Sequence, residues 1–307
     1  MHIPDGFLDT KTIVATSILS AAGVATAWQQ TQSHVTPQRI PLLGVTAAFV
    51  FAAQMLNFPV AGGTSGHLMG SVLCTVLVGP AAAVIVMTTV LCVQSFLFAD
   101  GGFLALGANI FNIALLSPLV GYAVYRAIGR ITVSARGKLA GVAAGAWLSV
   151  VVASLACAGE IAWSGTAPWH LAFPAMAGVH VLIGLGEAAI STLVVAAIQS
   201  VRPDLIFDGS EASRSGNVLY GLIIAFGLVL FVSPFASQWP DGLESVAASL
   251  GFDQRSIPNS AFTAVIPDYA MPGVRSPLLA LIFAGIVGIV AVYLVTRLLG
   301  RVLKEKS

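Results

Sequence analysis

The chain begins Met1-His2-Ile3-Pro4-Asp5-Gly6, about ten residues ahead of its first long apolar run. A free α-amine followed by a second-position histidine is a compact chelator. The Met1 amine and the His2 amide nitrogen close a five-membered ring on a metal, and the His2 imidazole closes a six-membered one. Three nitrogens from two residues suit square-planar Ni(II) or Cu(II), and with further ligands Co(II). Amide deprotonation is easier to justify for Ni(II) than for Co(II), which favours nickel slightly. A fourth donor is available in His67, at the end of Gly62-Gly63-Thr64-Ser65-Gly66-His67. Glycines permit sharp turns and close backbone approach, and Pro4 with Asp5-Gly6 can turn the terminus toward that imidazole. The ligands would be neutral nitrogens, so uptake should weaken as pH falls. Spacing alone does not establish this site. Two histidines 65 positions apart are not a motif, and a histidine at a helix mouth is commonly a hydrogen-bonded packing residue.

Other residues suggest other chemistries. Gly63-Thr64-Ser65-Gly66 fits the G-x-S-G of rhomboid intramembrane proteases, with His180 on a later apolar run as the base for Ser65. Rhomboids carry glycine three residues after that histidine, whereas here Ile183 stands there. Glu187 follows His180 by seven residues, near the same helix face. An intramembrane carboxylate costs several kcal/mol unless paired or wet. His180 and Glu187 could therefore carry protons in a self-sufficient secondary metal transporter. The simpler expectation is a structural hydrogen bond from Glu187 to His180, or to Asn109 and Asn112, well away from His67. Asp241, Glu244 and Asp268 read as solvated loop charges able to attract cations. Cys74, Cys92 and Cys157 all lie in apolar runs and read as packing residues, not a disulfide framework or zinc cluster. No G-x-x-x-x-G-K-[ST] occurs: Gly137-Lys138 is followed by Leu139, so the chain has no P-loop route to ATP hydrolysis.

The elements that must position these residues are set by composition. Of 307 residues 57% are hydrophobic and 9% charged, and the mean hydropathy is +0.92. Soluble domains carry roughly 25% charged residues, so this chain cannot cover a water-facing exterior. A net charge of +1 also excludes a nucleic-acid-binding surface. The apolar runs are long and continuous, which predicts an all-α integral membrane protein and not a barrel. Runs and breakers place segments at 12–28, 40–57, 68–79, 81–99, 103–126, 138–158, 172–200, 217–235 and 277–299. These make a seven-helix bundle with a short third helix, plus two further transmembrane helices. Keeping 68–99 as a hairpin puts eleven of the fourteen basic residues on one side, leaving Lys11, Arg255 and Arg275 on the other. The positive-inside rule then sets the N-terminus outside and the C-terminus in the cytoplasm. A polar external segment, 236–276, separates the last two helices, so a unit boundary is expected in the loop 201–216. Ala21 and Ala25 make a small-xxx-small surface on the first helix, suited to close helix contact or to ordinary bundle packing.

Four motifs in order resemble the CbiM/NikM family. They are Met-His-Ile-Pro-Asp-Gly-Phe-Leu at the start, Gly-Gly-Thr-Ser-Gly-His at 62–67, Asp100-Gly-Gly with Leu-Gly-Ala-Asn-Ile-Phe-Asn at 106–112, and Gly-Val-His-Val-Leu-Ile-Gly-Leu-Gly-Glu at 178–187. Trp239-Pro-Asp-Gly-Leu-Glu244 with Pro267-Asp-Tyr-Ala-Met-Pro-Gly273 resembles the PDGLE domain, similar to the small CbiN/NikN subunit. The resemblance implies a metal-binding membrane domain over 1–205 and a PDGLE domain over 206–307. It also implies the substrate-capture component of an energy-coupling-factor ABC importer for cobalt or nickel in the inner membrane. Met1, His2 and His67 would be the metal ligands, the ion would be substrate, and no organic cofactor would be involved. ATPase (CbiO/NikO-like) and transmembrane coupling (CbiQ/NikQ-like) subunits would come from separate chains, the coupling subunit meeting the Ala21–Ala25 surface.

Residues 1–27 can instead be parsed as a signal peptide with Ala25-Thr26-Ala27 as cleavage site, but Asp5 and Asp9 outweigh Lys11 in what should be a basic region. Mass spectrometry of the mature N-terminus separates the two, and retention of Met1 is the expected result.

Overall fold

The structure is a computed structural model that describes residues 1–132, 134–207, 218–257 and 263–305. Arg214 and Lys306, both counted in the charge argument, lie outside the described residues, as does much of the expected boundary loop.

Each apolar run becomes a helix. Helix α1 (Thr10–His34) starts where the Asp9 carboxylate accepts from the Thr12 amide at 3.0 Å, the usual way of satisfying a free N-terminal donor. Next come α2 (Ile40–Gln54), α3 (Ser71–Val78) and α4 (Pro80–Phe98). The chain reverses between α3 and α4 on Gly79 alone, at φ +84°, and Pro80 occupies the first helical position, where it needs no hydrogen bond. Then follow α5 (Leu106–Ile131), α6 (Ala135–Trp163), α7 (Trp169–Val201), α8 (Val218–Phe235), α9 (Gly242–Leu250) and α10 (Pro277–Glu305). Between α2 and α3, strands β1 (Asn57–Pro59) and β2 (Ser65–His67) form a short antiparallel hairpin with Asn57 opposite His67.

Seven helices, α1, α4, α5, α6, α7, α8 and α10, are long and apolar enough to cross a bilayer, and the protein is a multi-pass membrane protein. Helix α2 has 15 residues and α3 only 8. Eight residues rise about 12 Å, well short of the ~30 Å hydrocarbon core. Helix α3 survives because all its residues are buried in protein and the polar groups at its start have partners. Glu187 of α7 accepts from the Met69 amide at 2.6 Å and the Gly70 amide at 2.8 Å, and Gln54 donates to the Met69 carbonyl at 2.9 Å. This corrects the expected partners of Glu187. His180 is engaged with the Met176 carbonyl, Asn109 with Ile3, and Asn112 with Glu160. It also corrects the expected separation from His67, since Glu187 grips the main chain two and three residues beyond it.

The last two long helices are built into the first seven by contacts that only glycine allows. A Cβ on Gly288 of α10 would lie 2.0 Å from the Phe51 ring, and one on Gly221 of α8 would lie 2.2 Å from Val45; both neighbours belong to α2. The segment 236–276 is not simply a loop. It contains α9, begun by a full capping box in which Asp241 accepts from the Leu243 and Glu244 amides and Glu244 accepts from the Asp241 amide. On α1 the Ala21 and Ala25 face is exposed, along with Val14 and Ile18, so it is not packing surface within this chain.

Helices α5 and α6 meet backbone to backbone, where a Cβ on Gly145 would lie 2.6 Å from the Gly121 carbonyl oxygen. Gly145→Val should destabilise the bundle by at least about 1–3 kcal/mol, because a helix must shift to admit the side chain. Thermal unfolding in detergent checks this, with Gly129→Ala as the control, since nothing lies within 4 Å of its added Cβ.

Candidate metal centre

The N-terminal arm is an extended plug. Met1, Ile3, Asp5 and Phe7 are buried, and the residues between them are less so. Asn109 of α5 grips the arm like a neighbouring strand, accepting from the Ile3 amide at 2.7 Å and donating to its carbonyl at 3.0 Å. Gly102 donates a third bond, to the same Ile3 carbonyl, at 2.8 Å. The Asp5 carboxylate accepts from the Leu104 and Ala105 amides just before α5 begins, a favourable place for a negative charge. Gly6, at φ +93°, makes the turn that Asp5-Gly6 suggests, and a Cβ there would strike the Arg255 carbonyl oxygen at 2.0 Å.

This docking delivers the terminus to His67. The Met1 ammonium donates to His67 Nε2 at 2.7 Å and to Asp241 Oδ2 at 2.6 Å. The His67 Nδ1–H donates to the Leu68 carbonyl at 3.3 Å, which leaves Nε2 as the lone-pair nitrogen facing the terminus. The His2 and His67 rings are stacked, with centroids 5.1 Å apart and planes 13° from parallel. His2 Nδ1 lies 3.1 Å from Asp100 Oδ1, and His2 Nε2 is buried without a hydrogen-bond partner. The structure therefore brings all three sequence-predicted residues together.

The distances suit a metal. Two nitrogens at right angles, each about 2.0 Å from an ion, lie about 2.8 Å apart, close to the Met1–His67 separation. Main-chain nitrogen is essential to such a site. Among the described residues, no group of three or more His, Cys, Asp or Glu side chains is placed to hold an ion.

Electrostatics favour an arriving cation. Burial, with the Met1 ammonium and His2 beside it, pushes the His67 imidazole down to about 3, so it stays a neutral donor at physiological pH. Burial alone would raise the Asp241 carboxyl, but the Met1 ammonium and His67 hold it well below the usual carboxylate range. Asp100 is likewise held low against its burial, by His2 and by the Tyr269 hydroxyl. A cavity of about 690 Å³ opens beside the histidines. Asp5, Asp100, Asp241, Glu244, Asp253 and Asp268 line it, and no described lysine or arginine does.

The view of Asp241 as a solvated loop charge is thus corrected. It is the counter-ion of the terminal amine, placed there by the α9 capping box. Asp100, Asn109 and Tyr269 were also missed as site residues; the Asp100-Gly-Gly, 106–112 and Pro267-Asp-Tyr motifs marked their positions but not their contacts. The protease geometry is not formed. Ser65 donates to the Trp239 carbonyl at 2.7 Å, and the His180 Nδ1–H donates to Met176, so neither is the other's partner.

Residues 2–205, which supply His2, His67, Asp100 and Asn109, match the CbiM family, described as the cobalt uptake substrate-specific transmembrane region. The chain belongs to the CbiM family. Residues 215–305 match the PDGLE domain. Among CbiM relatives, a putative fused nickel transport protein NikMN of Archaeoglobus fulgidus is 37% identical, covering 95% of each chain. A probable fused nickel transport protein LarMN of Lactiplantibacillus plantarum is 32% identical, covering 89% of this chain and 90% of that one. A crystal structure described as a truncated transition metal transporter superposes with a TM-score of 0.59 at 33% identity, covering 65% of this chain and 99% of the other.

Glu187 holds the start of α3 through two main-chain amides, and a glutamine can accept only one of them while turning its own N–H₂ toward the other. Glu187→Gln should lower stability by about 1–3 kcal/mol, read as a drop in melting temperature in detergent.

Proposed function

We propose that this chain is the substrate-capture component of an energy-coupling-factor ABC importer for nickel or cobalt ions. The ion is cargo, held by the Met1 amine, the His2 amide and imidazole, and His67 Nε2. The observation that carries the reading is the 2.7 Å approach of a buried terminal amine to the lone pair of a partly buried imidazole. The names of the fused nickel transport relatives support the same cargo class, and the amide donor favours nickel within it.

The remaining assignments follow from the sequence. Residues 1–205 form the metal-binding domain and 206–307 the PDGLE domain, which roofs the site. The site faces outward and the C-terminus lies in the cytoplasm of an inner-membrane protein. Without a P-loop, energy comes from a separate ATPase chain through a transmembrane coupling chain. The exposed Ala21–Ala25 face of α1 is the surface open to that coupling chain.

Elemental analysis of purified protein tests the site. Protein with an authentic Met1 terminus should retain about one nickel or cobalt per chain, whereas an N-terminal extension or His67→Ala should lose it; retention by either would overturn the reading. Affinity should also fall as pH drops from ~8 to ~6, because the amine and amide must release protons to bind metal. His67 does not contribute to that loss. Its downward shift, to about 3, means it takes up a proton only well below this range.

A further inference from the structure

Beyond the ligands stands a chain of side chains for which the capture reading gives no role. The Tyr269 hydroxyl donates to Asp100 Oδ2 at 2.5 Å, and Asp100 Oδ1 meets His2 Nδ1 at 3.1 Å. Tyr269 comes from the C-terminal unit and is fixed on the end of α4. Its ring stacks on Phe98, with centroids 4.6 Å apart and planes 16° from parallel, and nearby the Ile266 amide donates to the Leu97 carbonyl at 2.8 Å. Asp268 and Tyr269 both take left-handed backbone, at φ +53° and +55°, a conformation that L side chains rarely adopt. The main chain is thus bent unfavourably to bring this one hydroxyl onto Asp100.

The chelate chemistry supplies a reason. Closing the six-membered ring from the His2 amide nitrogen requires Nδ1, yet Nδ1 is the nitrogen that faces Asp100 here, and the buried Nε2 has no hydrogen-bond partner. A half-turn of the imidazole about its Cβ–Cγ bond carries Nδ1 to the opposite edge of the ring, where Cδ2 now lies, and brings Nε2 to the edge that faces Asp100, in the place Cε1 now holds.

We propose that Asp100, clamped by Tyr269, is the outer-sphere positioning group for His2. With Nδ1 on the ion, Nε2–H donates to Asp100 Oδ1, and the Tyr269 hydroxyl fixes that carboxylate through its other oxygen. The C-terminal unit thereby sets the orientation of a ligand ring that it does not itself contribute. This rests on the reading of His2 as a ligand. Metal-bound imidazoles are ordinarily oriented by such a carboxylate, and its loss costs roughly 10–100-fold in affinity.

The test uses the full chain with an authentic Met1 terminus in detergent, with Ni(II) alone as probe, read by chelator competition and by the visible d–d band. Tyr269→Phe keeps the ring on Phe98 and removes only the hydroxyl. Its nickel Kd should rise about 10-fold or more and its band should shift or broaden, while the protein still unfolds in one cooperative transition. Should Tyr269→Phe prove unstable, Asp100→Asn and Asp100→Ala replace it. Asparagine still offers an oxygen to Nε2–H, so it should retain more affinity and a more native band than alanine. A wild-type Kd and band in Tyr269→Phe, or equal losses in the two Asp100 variants, would overturn the positioning role. The underlying chelate fails separately, if wild-type protein binds no nickel or if an N-terminal extension leaves binding unchanged.

Discussion

A primary ammonium buried inside an apolar bundle has to be paired, and the Met1 amine is paired twice, with His67 Nε2 and with Asp241. An unpaired charge at that depth would cost several kcal/mol, so the arm can dock only if both partners are in place. Much of the architecture around the site supplies them. The β1–β2 hairpin carries His67, Glu187 secures the main chain just beyond it, and the α9 capping box fixes Asp241. Asn109 and the Asp5 contacts hold the arm itself.

The same pairing joins the two halves of the chain. The terminal amine directly precedes the CbiM region and its counter-ion lies in the PDGLE region, so burying that charge commits the second unit to the roof of the site. The rest of the roof follows the same pattern of polar exchange. Ser65 bonds to the Trp239 and Pro240 carbonyls, Thr64 to Ser245, and the Ile257 amide to the Asp5 carbonyl. Below, close glycine contacts lodge α8 and α10 against α2. A cation arriving at this roof meets a cavity lined by carboxylates and by no described lysine or arginine. Exchanging the hydrogen bond between Met1 and His67 for bonds to an ion would need little backbone movement, because the two nitrogens already stand at about the spacing of neighbouring ligands.

Much of the fold was legible because membrane burial imposes a simple code. Every apolar run formed a helix, and the break at Gly79-Pro80 marked a true reversal. The convergence of Met1, His2 and His67 was legible for a different reason: the donor set at residues 1 and 2 depends on local covalent geometry, and His67 was the histidine in a glycine-rich stretch. Partner choice was not legible. Glu187 was expected on His180 or on Asn109 and Asn112, but it serves the amides of residues 69 and 70, which sequence separation hides. Asp241 looked like one loop charge among several, because nothing local distinguishes a carboxylate in water from one folded onto an amine 240 positions away.

The sequence by itself determined the membrane-embedded helical class, the order of the segments and the donor types available at the terminus. Composition and short-range covalent geometry are sufficient for these. Only the tertiary structure decided which donors meet, that an 8-residue helix can stand where a full crossing was in question, and that the second unit lends the first its counter-ion. Those outcomes depend on satisfying buried polar groups. Each such group accepts whichever partner the packed chain brings within about 3 Å, whatever its place in the sequence.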